Sequence, residues 1–100
     1  MDRSAGSLII TFGSSYMAIR AERALKALGI SVELIPVPRE ISSACGFCLL
    51  VPASALGGSG LDTIKTRTAQ GREALWLVTI QAKEDNNRKE KTYERISQGD

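Results

Sequence analysis

The stretch Pro36-Val37-Pro38-Arg39-Glu40-Ile41-Ser42-Ser43-Ala44-Cys45-Gly46-Phe47-Cys48 decides the fold of this chain. It joins two apolar runs, Ile30–Ile35 and Phe47–Val51, that read as consecutive strands. Pro36 and Pro38 stop the first run, because proline fixes φ and has no N–H to give to a ladder. Pro52 stops the second. The connection also carries both cysteines of a chain that has no histidine.

Working outward toward the N-terminus, Leu8–Phe12 is apolar and partly β-branched and reads as a buried strand. Ser14 or Ser15 can cap a following helix by accepting a bond from an unpaired backbone N–H. Met17, Ala21, Ala24, Leu25 and Leu28 recur at helical spacing and mark one apolar face. Arg20, Arg23 and Lys26 lie away from it, as a solvated face or a docking stripe. Gly29 suits the helix end, since glycine enters the left-handed region at little cost.

Toward the C-terminus, the small and glycine-rich segment Ala53–Gly60 reads as a loop. Leu61–Gln70 reads as a short second helix with a thin apolar stripe, ended by Gly71. Ala74–Ile80 is a fourth strand, with Trp76 and Val78 on one face and Leu75, Leu77 and Thr79 on the other. From Lys83 onward the chain is dense in charge and poor in large apolar residues, which predicts a frayed helix or disorder.

The order β-α-β-β-α-β predicts an α+β, ferredoxin-like sandwich: a four-stranded antiparallel sheet with two helices on one face. Another small α+β arrangement of the same elements is the alternative. The expected organisation is one domain over residues 1–82 and a charged tail over residues 83–100. One hundred residues with 43% hydrophobic content can supply one core. A net charge of +2 is too mild to indicate nucleic acid. No apolar run approaches the roughly 20 residues of a membrane span. These features predict a cytosolic protein with neither a nucleic-acid nor a membrane partner, in a compartment where thiols stay reduced.

Chain direction in such a sandwich brings the Gly13-Ser14-Ser15 helix start, the Pro36–Gly46 connection and the Gly71-Arg72 turn to one end. A helix N-terminus carries unpaired N–H donors and partial positive charge, so it favours an anion nearby. Free cysteine titrates near about 8.5, and such surroundings lower that value. Cys45 is therefore the candidate nucleophile, with Gly13, Ser14, Ser15 and Arg39 as candidate anion-binding residues. Pro38, Ser42, Ser43 and Gly46 shape the turn, the two serines through hydrogen bonds to its backbone. No histidine is present to activate either serine.

Thr11-Phe12-Gly13-Ser14-Ser15, Ala21-Glu22-Arg23-Ala24-Leu25 and Ile35-Pro36-Val37-Pro38-Arg39-Glu40-Ile41-Ser42-Ser43-Ala44-Cys45-Gly46 resemble a small bacterial family of selenium/sulfur carrier protein-like domains. The resemblance extends over residues 7 to 80. It implies a cytoplasmic carrier that holds sulfur or selenium on Cys45 and works between donor and acceptor proteins, without a cofactor. Two features depart from the family: Cys48 stands where a small or apolar strand residue is expected, and Gly57-Gly58-Ser59-Gly60 shortens the second helix.

Other readings stay open. Cys45 and Cys48 have Cys-x-x-Cys spacing, so Cys48 is either a resolving thiol or a small buried hydrophobe. The pair leads into a strand rather than a helix, and alternation sends the two sulfurs to opposite faces unless Gly46 turns the chain. One cysteine pair is half of a structural zinc site, so no metal is expected within one chain. A non-enzymatic binding or regulatory module, homodimeric through a sheet face or edge strand, is the third class. A carrier or binding protein fits better than a turnover enzyme.

Overall fold

A computed structural model describes residues 6–41, 46–83 and 88–96. The elements are β1 (Leu8–Phe12), α1 (Ser15–Ala27), β2 (Glu33–Pro36), β3 (Phe47–Val51), a single 3-10 turn (Ala53–Ala55), α2 (Gly60–Arg67), β4 (Arg72–Lys83) and β5 (Arg88–Ile96). They build an α+β fold around an antiparallel, five-stranded open sheet of order β2-β3-β1-β4-β5.

The sheet has one strand more than the sequence predicts. Arg88–Ile96 pairs along β4 from Leu75↔Ile96 to Lys83↔Arg88, where a frayed helix or disorder was the expectation. Charge density conceals this strand, because an edge strand keeps its charged side chains in water. Two apolar anchors are enough to dock it. Ile96 packs with the core under the helices, and Tyr93 packs on the opposite face.

Ser14 caps α1, its Oγ accepting from the Met17 amide at 3.3 Å. At the other end the Gly29 amide donates to Lys26 O and the Ile30 amide to Leu25 O, each at 3.0 Å. This is a Schellman closure, with Gly29 at φ 80°. The closure uses Ile30, so β2 begins at Glu33 rather than at Ile30. α2 ends at Arg67, three residues short of the expected Gln70. There the Thr68 hydroxyl donates to Ile64 O at 2.7 Å, a side-chain bond that competes with continuation of the helix.

Both helices lie on one face. Leu8, Ile10, Phe12, Leu49, Val51 and Leu75 of the sheet pack with Ala18, Ala21 and Leu25 of α1 and Ile64 of α2. Strand alternation sends Ile9, Cys48 and Val78 to the other face, where they are 2%, 0% and 1% exposed. Ile41, from the segment after β2, is buried against them. Arg95 covers Trp76 on this side, its guanidinium carbon 5.8 Å from the ring centroid. The second face is thus closed over its central strands, and β1 is buried on both sides.

Candidate functional site

Strand register brings four chain ends to one pole of the sheet. Phe12 lies opposite Arg72, Thr11 opposite Cys48, and Pro36 opposite Phe47. The C-terminal ends of β1 and β2 therefore meet the N-terminal ends of β3 and β4. Two backbone bonds tie the connections together: the Gly13 amide donates to Gly71 O at 3.0 Å, and the Val37 amide to Gly46 O at 3.1 Å.

The start of α1 belongs to this pole because Gly13 and Ser14 lead straight into it from β1. Its first turn carries no acidic residue of its own, and its backbone amides give that end of the helix a partial positive charge. Gly13, Ser14 and Ser15 are exposed. The Ser14 hydroxyl is engaged in the cap, which makes its first role structural. Arg39 and Gly46 are exposed at the two ends of the connection. Pro38 opens a tight turn in which the Ile41 amide returns to Pro38 O at 3.0 Å. That turn delivers Ile41 to the face away from the helices, which composition does not foretell. Ser42, Ser43 and Cys45 lie outside the described residues.

Cys48 is fully buried in β3, between Thr11 of β1 and Ile35 of β2. Its Sγ lies 3.9 Å from Pro36 O, a thiol-to-carbonyl hydrogen bond. The thiol is packed as a small hydrophobe, with a weak polar handle turned to the backbone.

Arg72 reaches the same pole but points inward. Its Nη1 donates to Lys65 O at 2.7 Å and to the Thr68 hydroxyl at 3.4 Å, covering the Lys65 carbonyl in the last turn of α2. Its Nε is buried without a hydrogen bond. Gly71, at φ 80°, lies against α1: a Cβ there would lie 2.5 Å from Met17 Cε.

Sequence reasoning missed a feature beside the pole. Met17, Arg20, Ala21 and Ala24 of α1, with Arg67 at the end of α2 and Gln70 beyond it, line an open groove of about 100 Å³. No local motif announces it, since its walls are more than 40 residues apart in the chain. Among the described residues, no three His, Cys, Asp or Glu side chains cluster to hold a metal ion. No helix there is long and apolar enough to cross a membrane.

Residues 7–58, which cover β1 through the 3-10 turn and include the whole β2–β3 connection, match the family described as "Putative Se/S carrier protein-like". The chain belongs to this family. The family region ends at Gly58, short of the residue 80 that the resemblance suggested, so α2, β4 and β5 lie outside it. It contains α1 with its cap, both cysteines and the buried Ile41. No curated protein and no solved structure matches the chain.

Proposed function

We propose that this protein carries sulfur or selenium on Cys45. The observation that carries the reading is the family match over the β2–β3 connection. It is supported by the shared pole of the exposed flanks of that connection, Arg39 and Gly46, and the positive end of α1. An anion borne on sulfur is favoured near such a helix start. The framework fits a ferredoxin-like sandwich: β1 to β4 take the order β2-β3-β1-β4 with both helices on one face, and β5 is an addition at the β4 edge.

The chemistry is an exchange between sulfurs. The Cys45 thiolate attacks the terminal sulfur of a persulfide on a donor protein. A sulfur–sulfur bond forms at Cys45 while the one in the donor breaks, and the donor cysteine leaves as a thiolate. The terminal atom keeps its proton or negative charge, and neither oxidant nor reductant is consumed. A donor bearing terminal selenium reacts in the same way, and an acceptor thiolate repeats the step in the forward direction. Cys48 takes no part, because its burial denies it contact with a second protein.

Incubation of the reduced protein with a cysteine desulfurase and cysteine, followed by intact mass measurement, tests this. The expected result is a gain of one sulfur that persists in Cys48→Ala and vanishes in Cys45→Ala. Absence of any adduct with sulfur and selenium donors overturns the reading.

A further inference from the structure

We propose that the groove between α1 and α2 is a docking site for an acidic segment of a partner protein, with a carboxylate held between Arg20 and Arg67. The two guanidinium groups come from different helices, and no acidic side chain lines the groove. Glu22, the acidic residue nearest Arg20 along α1, pairs with Lys26 at 3.1 Å instead, and no carboxylate among the described residues pairs with Arg20 or Arg67. Their positive charge faces water over a floor of Met17, Ala21 and Ala24.

The surroundings add an apolar component. Tyr16 and Ile19 are 67% and 39% exposed, and Tyr16 neighbours Arg20 one turn along the helix. The Arg20 guanidinium carbon sits 6.0 Å from the Tyr16 ring centroid, which holds the charge at the rim. Arg23 extends the same positive face. Arginine forks match carboxylates in two-point contacts, so complementary charge selects an acidic partner carrying an aliphatic residue beside its carboxylate. Arg72 assists indirectly by capping Lys65 O, which lessens the negative character of the α2 end beside the groove. The proposal requires no chemistry at either cysteine.

Titration of the ¹⁵N-labelled full chain with the capped peptide Ala-Glu-Leu-Glu-Leu-Ala, followed by heteronuclear NMR, tests it. At peptide concentrations of about 1 mM and above, the amides of Met17, Ala21, Ala24 and Gln70 are expected to shift in a saturable way. The Arg20→Gln/Arg67→Gln double variant is expected to bind about tenfold more weakly, as is the peptide with glutamine in place of glutamate. Both arginines are exposed, so the variant's spectrum reports its fold directly. No shifts, equal binding of the two peptides, or unchanged binding by the variant each overturn the proposal. Sulfur loading by Cys45 is a separate measurement, so either conclusion can fail alone.

Discussion

Substitution and labelling of Cys48 distinguish a resolving thiol from a packing residue. The side chain is fully buried in a central strand, with Ile9, Val78 and Ile41 around it and the Pro36 carbonyl 3.9 Å from its sulfur. Cys48→Ala removes one buried atom the size of a methylene and leaves a small void. The transfer and cavity contributions together cost about 1–2 kcal/mol. For a chain of this length each kcal/mol lowers Tm by about 4–8 °C. The native thiol should also resist reagents, since exposing it means opening the sheet. With a global stability of at least about 5 kcal/mol, alkylation through full unfolding is slowed by more than about a thousandfold. Iodoacetamide labelling of native and urea-unfolded protein, read by peptide mass mapping, measures that ratio. Modification of native Cys48 within about tenfold of the unfolded rate would refute the reasoning. So would a Cys45–Cys48 disulfide as the main product of mild oxidation.

Ser14→Ala removes the 3.3 Å cap and should cost about 1 kcal/mol in urea denaturation, whereas Ser14→Asp keeps the cap and the stability. The same aspartate places negative charge at the α1 start, so sulfur loading of Cys45 should fall while folding does not. Loading equal to wild type would remove the electrostatic role of that helix end. Thr11→Val deletes the acceptor of Trp76 Nε1 at 3.3 Å and the hydroxyl donated to Ala74 O at 3.4 Å, both on the second face. It should destabilise by about 1–3 kcal/mol and alter Trp76 emission; an unchanged spectrum would deny that bond. Gly71→Ala should cost about 1–2 kcal/mol for the positive φ alone, with a further loss from displacing Met17, as measured by thermal unfolding.

Legibility followed the range of the signal. β1 and β3 match their predicted spans because apolar runs bounded by Gly13 and by Pro52 are local features. α1 was legible for the same reason: a serine at the cap and a glycine after the last turn mark both ends. The boundaries that moved did so through individual hydrogen bonds that apolar periodicity does not report. Ile30 is taken by the Schellman bond, and α2 stops where Thr68 and Arg72 claim its carbonyls. β5 was missed because its apolar content is two side chains, Tyr93 and Ile96. They dock only because β4 supplies a paired edge.

The candidate site divides along the same line. Sequence alone identified the family signature around Pro38, Arg39 and Gly46, the capping serine, and a strand and helix order that joins their ends. Those properties depend on residue type and spacing within one segment. Tertiary structure alone decided that Ile41 seals the second sheet face, that Arg72 faces α2, and that Arg20 and Arg67 share a groove. The first and third pair residues far apart in the chain, and the second reaches back seven residues from β4 to α2. Which of many compatible partners meet is chosen by how the sheet registers and the helices pack, and no local pattern encodes that choice.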